Sequence, residues 1–180
     1  MMRRRFLMAT LPIGTLALGL AAPARAQGLL NLFSGTGVGA NNFVETAVIS
    51  DNFEIQSSQI LLARSTHPQI RDFAQRMIEQ HTTLSNTLRT LPEATTRMPA
   101  SLDEKHSNLL AVLRQQDDVD LLNRYYVQQQ IEGHEETLAV YEAYAANGEV
   151  PALRAFAERY APTIREHLQM ARALQAPQRD

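Results

Sequence analysis

The stretch Pro68-Gln-Ile-Arg-Asp-Phe-Ala-Gln-Arg-Met-Ile-Glu-Gln-His-Thr-Thr-Leu-Ser-Asn-Thr-Leu-Arg-Thr-Leu91 decides the fold. Ile70, Ala74, Met77, His81, Leu84, Leu88 and Leu91 are spaced by alternating fours and threes. That is the period of an amphipathic helix with one apolar face. Proline suits a first helical turn and disfavours helix in the residue before it, so Thr66-His67-Pro68 both ends the preceding segment and opens this one. The helix carries one polar interruption on its apolar stripe, His81.

The same period extends in both directions. Upstream, a helix is expected from about Asn42 to Ser65, with Val44, Val48, Ile55 and Leu62 on one stripe. Residues 27–41 hold Gly28, Gly35, Gly37 and Gly39 among Asn and Ser and read as a flexible lead-in. Downstream, Pro92 and Pro99 bracket a connector, and Ser101-Leu-Asp-Glu104 reads as a capping box opening a short helix to about Gln116. The longest helix is expected from about Asp118 to Asn147, with Val127, Ile131, His134, Leu138, Tyr141 and Ala145 on its stripe and Gly148 ending it. Pro151 opens a last helix carrying Leu153, Ala157, Tyr160, Ile164, His167, Ala171 and Leu174, with a kink or break expected at Pro162. Two tight turns and one long connector pair four long helices as two antiparallel hairpins joined by a crossover. The fold class is therefore all-α: a four-helix bundle domain over residues 42–175, with a short extra helix in the crossover and a tail at 176–180.

The first 26 residues have another purpose. Arg3-Arg4-Arg5, a small apolar run to Ala22 and Ala24-Arg25-Ala26 are the three parts of a cleavable secretory signal. Pro12, Gly14 and Gly19 interrupt the apolar run, which falls short of the roughly 20 residues of a membrane span. Arg3-Arg4-x-Phe6-Leu7 resembles a twin-arginine address. A periplasmic or otherwise exported protein without a stable membrane span is expected.

Cleavage changes the charge. The whole chain has 17 basic and 19 acidic residues and a net charge of −2. Four of the arginines lie in residues 1–26, so the mature chain is at −6, with Lys105 its one lysine. An acidic chain without a basic cluster is a poor ligand for nucleic acid or anionic lipid. The absence of cysteine excludes disulfides, thiolate ligands and a cysteine nucleophile. No phosphate loop or nucleophile elbow is present, so hydrolase and kinase chemistry have no foothold.

His81, His134 and His167 sit on apolar stripes of three different helices, and the first helix contributes Glu54, aligned by sevens with Ala47 and Leu61. At about 1.5 Å per residue, Glu54, His81 and His134 lie at matching depth, and His167 within roughly 6 Å of it. Imidazole and carboxylate together suit Zn, Mn, Fe, Ni or Cu. A metal-free Glu–His network that fixes helix register would use the same residues. The residues three before each histidine are Ile78, Ile131 and Ile164, not glutamates, so a di-iron centre is not expected. The constellation suits one transition-metal ion. His67 at a turn, His106 on the short helix and the acidic run Glu132, Glu135, Glu136 read as ordinary surface.

Glu54-Ile55-x-x-Ser58-x-x-Leu61, Ile70-x-x-Phe73-Ala74-Gln75-Arg76-Met77-Ile78-x-x-His81, Tyr126 with Gly133-His134, and Ala161-Pro162 followed by His167-Leu168-x-x-Ala171 occur in order. In this the chain resembles the bacterial family called domain of unknown function 4142. The resemblance covers nearly all of residues 42–175. It implies a ferritin-like four-helix fold, export, and an envelope or outer-membrane setting without an assigned activity. It places the family's characteristic polar positions on Glu54, His81, His134 and His167. Ser58, Gln80 and Asn123 depart from the family pattern of Gly, an acidic residue and Asp, removing carboxylates that could orient an imidazole. Two functions stand open: a bundle that binds one transition-metal ion, and a metal-free structural or stress-related envelope protein acting on protein partners through its helical surface.

Overall fold

Prolines and short acidic caps set the helix boundaries in the computed structural model, which describes residues 38–175. The elements are α1 (Ala40–Leu62), α2 (Pro68–Arg89), α3 (Pro92–Thr95), α4 (Glu104–Arg114), α5 (Val119–Asn147) and α6 (Pro151–Gln175). Pro68 and Pro92 occupy the first turns of α2 and α3. Asp118 caps α5 by accepting from the amides of Asp120 and Leu121 at 2.7 and 3.0 Å. These caps satisfy donors that the first helical turn leaves unpaired. There is no strand among the described residues; the protein is all-helical there. No described helix is long and apolar enough to cross a membrane.

Several boundaries differ from the expected ones. The first helix starts at Ala40, inside the expected lead-in, because Val38 and Ala40 are buried and Glu149 Oε1 accepts from the Ala40 amide at 2.7 Å. The cap of α4 is Asp103, not Ser101; its carboxylate accepts from the His106 amide at 2.7 Å and from the His106 ring. The four-residue α3 is not foreshadowed by any period. Helix α6 runs unbroken through Pro162. Pro162 and Glu158, whose carbonyl loses its amide partner, both face solvent, where water replaces the missing donor. The expected signal (1–26), the tail (176–180) and most of the lead-in lie outside the described residues.

The four long helices each pack on two long neighbours: α1 along α2, α2 against α6, α6 along α5, and α5 against α1. Arg64, in the α1–α2 turn, donates to the carbonyl of Asp117 just before α5, so the connector carries the chain back to the end where α2 began. At one end the core is aromatic: Phe43 stacks on Tyr144 with centroids 4.3 Å apart and meets Tyr141 and Phe156 edge-on at 5.2 and 6.3 Å. At the other, Leu61, Phe73, Met77, Leu113, Leu122 and Tyr126 form an apolar cluster. Between them lies a polar layer of Asp51, Glu54, Ser57, His81, Ser85, Gln130, His134, Thr137 and His167, all buried.

Gly148 closes α5 by close approach, not by a left-handed turn: its φ is −60°. A Cβ there would lie 2.6 Å from the Tyr144 carbonyl oxygen and equally close to Cδ1 of its ring. Gly148→Ala is expected to cost about 1–3 kcal/mol by overpacking, read as a lower urea midpoint with an unchanged slope.

Candidate metal centre

The buried line of α1 runs through Val44, Ala47, Asp51, Glu54, Ser58 and Leu61, spaced by threes and fours. Ile55 and Leu62, assigned to the stripe from sequence, are only partly buried, one position off that line. On α2 and α6 the expected stripes hold at their centres, whereas on α5 Ile131 and Leu138 are only partly buried and Gln130 and Thr137 flank His134 in the core. His81, His134 and His167 are each at most 1 % exposed. The three rings form a near-equilateral set with centroids 5.1, 5.3 and 5.6 Å apart. One ligand nitrogen from each lies within 4.8 Å of the others.

Each ring has one nitrogen tied back and one left over. His81 Nδ1 donates to Asp51 Oδ1 at 2.8 Å, and Ser85 Oγ holds the other Asp51 oxygen at 3.0 Å. His134 Nδ1 donates to the Gln130 carbonyl at 2.7 Å, and His167 Nε2 to Gln80 Oε1. The remaining nitrogens, His81 Nε2, His134 Nε2 and His167 Nδ1, are buried without a hydrogen-bond partner. Buried polar atoms are ordinarily paired, and an unpaired nitrogen on each of three clustered imidazoles is a set of lone-pair donors available to a metal ion. An acceptor behind each imidazole is also what fixes the tautomer of a metal-ligating histidine.

Glu54 stands beside this trio. Its Oε1 is 3.7 Å from His134 Nδ1, the tied-back side of that ring, and it falls outside the set whose ligand atoms lie within 4.8 Å of one another. Both its oxygens are buried and unpartnered. Gly133 makes room for it: a Cβ at that position would lie 3.3 Å from Glu54 Oε1. The structure therefore brings three of the four expected residues together and leaves the carboxylate adjacent.

Asp51 was missed from the sequence, although its spacing of three from Glu54 and four from Ala47 puts it on the same face. Gln80, one of the departures from the resembled pattern, which has an acidic residue there, still provides an acceptor through its amide oxygen. Gln130 acts through its backbone carbonyl, which no sequence pattern marks. Ser58, another departure, bonds the Tyr126 hydroxyl at 2.8 Å in the core. His67 lies at the start of α2, and His106 packs against Phe53 with centroids 5.2 Å apart; neither joins the trio.

Burial and mutual repulsion set the protonation of this layer. Burial, reinforced by the nearby His81, pushes His134 down to about 3. Burial, with His81 and His134, pushes His167 to about 2. Burial also lowers His81, but the hydrogen bond and charge of Asp51, with Glu54, outweigh it and leave His81 above 6.5. Burial raises Glu54 to about 7. The folded state thus keeps His134 and His167 neutral, whereas the unfolded chain takes up protons on both as the pH falls below 6.5. Their contribution to stability is present above 6.5 and is lost as the pH falls toward their folded values. Glu54 has the opposite sign, losing its contribution as the pH rises from 4.5 through about 7. Burial raises Asp51 as well, against the hydrogen bond and charge of His81, so two carboxylates oppose two histidines and their effects on the pH dependence of stability cancel in part.

The family model described as Domain of unknown function (DUF4142) matches residues 34–174, from ahead of α1 almost to the end of α6. No curated protein and no solved structure matches the chain. The match takes in the four long helices, all but the last residue of α6, and every residue of the histidine trio, and the chain belongs to this family of unknown function.

Proposed function

We propose that this is an exported protein with a ferritin-like four-helix bundle that binds one transition-metal ion in its core through His81, His134 and His167. The observation that carries the reading is the cluster of three buried imidazoles, each with one nitrogen already taken and the other unpartnered. A plain core histidine would have no reason to leave a nitrogen unsatisfied beside two other imidazoles. Tetrahedral or octahedral ions hold imidazole nitrogens at about 2.0–2.1 Å, so the set closes on an ion by side-chain adjustments of an ångström or so. Three protein nitrogens leave further coordination positions for water, a small ligand or a relaxed Glu54.

The four-helix packing and the returning connector support the ferritin-like topology. The basic and apolar start of the chain, ending Ala24-Arg25-Ala26, supports export to the periplasm. The centre is unlike a di-iron site in its chemistry, because Ile78, Ile131 and Ile164 stand three residues before the histidines and supply no carboxylate to bridge two ions.

Metal analysis of untagged protein, as isolated and after reconstitution with Zn²⁺, Mn²⁺, Fe²⁺, Ni²⁺ or Cu²⁺, tests the reading. About one equivalent of one of these ions is expected. Less than about a tenth of an equivalent of every one, after reconstitution, overturns it.

A further inference from the structure

The polar layer contains more charge than the ligands themselves. Asp51 and Glu54, one turn apart on α1, are each 1 % exposed. Among the described residues, no lysine or arginine lies within ion-pair distance of either: Asp51 pairs with His81 and Glu54 with His134. Arg89, whose field reaches Asp51, is exposed on α2 and bonds to Asn86. Arg76, whose field reaches His167, is half-exposed and faces Glu166 at 4.0 Å. Burying a carboxylate is costly unless it is paired, and the partners of these two are imidazoles, which must be neutral to ligate a metal.

Resting on the metal-binding reading, we propose that the centre is charge-matched to a divalent ion. Imidazoles ligate in their neutral form and contribute no charge, and the two acidic side chains beside them, Asp51 and Glu54, carry −2 when ionised, which one divalent cation cancels. Neither carboxylate need touch the ion. Asp51 acts through His81, which it orients with a 2.8 Å bond, and Glu54 acts from beside His134, in the space that Gly133 leaves open. Coulomb attraction scales with the charge of the ion, so the two carboxylates favour a 2+ ion over a 1+ ion bound by the same nitrogens. The resident ion is then a divalent one such as Zn²⁺, Mn²⁺ or Ni²⁺, and monovalent Ag⁺ or Cu⁺ is held less tightly than three imidazoles alone would allow.

The test compares Zn²⁺ and Ag⁺ binding by calorimetry in the full-length mature protein and in Glu54→Gln, a near-isosteric change that removes one charge. The quantity read is the ratio of the two affinities, so the intrinsic preference of imidazole for either ion cancels between proteins. Glu54→Gln is expected to narrow the Zn²⁺-over-Ag⁺ ratio by about 10- to 100-fold while circular dichroism remains helical. Should that variant fail to fold, Asp51→Asn carries the same charge change from the other carboxylate and is expected to shift the ratio in the same direction. A ratio that stays within twofold of the parent in a folded variant that still binds Zn²⁺ overturns charge matching and leaves the metal site standing. A parent protein that binds neither ion overturns both.

Discussion

Replacing His134 with alanine is expected to abolish metal-dependent stabilisation altogether. A ligand that binds only the folded state, present at a thousand times its dissociation constant, adds about 4 kcal/mol to stability. The His134→Ala protein loses one of three ring nitrogens and, with it, the ring beside Glu54. Its urea midpoint should therefore be the same with added Zn²⁺ as with EDTA, while the parent protein separates the two conditions clearly. The substitution also empties a ring-sized space in the core, so the variant starts below the metal-free parent. That second loss is the same with or without chelator, and the comparison within each protein removes it. If the parent shows no difference between Zn²⁺ and EDTA, or the variant keeps the whole difference, the trio is not the site.

The second large effect is purely one of packing. Phe43→Ala is expected to cost about 3–5 kcal/mol, the range for deleting a fully buried aromatic ring. Phe43 has no exposed surface and contacts three aromatic rings from α5 and α6, stacking on Tyr144 at 4.3 Å. Such pairs contribute about 0.5–1.5 kcal/mol beyond the area they bury. For a chain of this size the loss corresponds to a fall in Tm on the order of 10 °C. Because the ring lies at the aromatic end and not in the polar layer, the folded variant should still take up a full equivalent of metal. A loss below about 1 kcal/mol would mean that the aromatic end rearranges to fill the cavity. Together the two substitutions separate what the core does for stability from what it does for binding.

Most of the helical architecture was legible because its signals are local. Pro68 and Pro151 mark helix starts, and the alternating fours and threes on α2 and α6 largely hold, with only Leu91, Tyr160 and Leu174 partly buried, because those faces are apolar apart from one histidine each. On α1 the reading drifted, because the buried face passes through Asp51, Glu54, Ser57 and Ser58. Polar residues in a core erase the hydrophobic contrast on which periodicity depends, and Ile55 and Leu62 captured the stripe instead. The same contrast problem hid Asp51, a carboxylate 1 % exposed, while three histidines on three apolar stripes stood out. The side of His134 on which Glu54 rests was beyond sequence reasoning altogether. It depends on the rotamer that the Gln130 carbonyl imposes on the ring and on the space above Gly133.

The order in which the chain supplies the three rings has a kinetic consequence. His81 comes from the hairpin of α1 and α2, and His134 and His167 come from the hairpin of α5 and α6, on the far side of the connector. Neither hairpin alone presents all three nitrogens. An ion held by the trio is therefore a clasp that fastens only after the two halves have docked, and it strengthens contacts formed late. Interactions absent from the folding transition state slow unfolding without hastening folding. Metal would thus lengthen the lifetime of the assembled protein far more than it would shorten the time needed to assemble it.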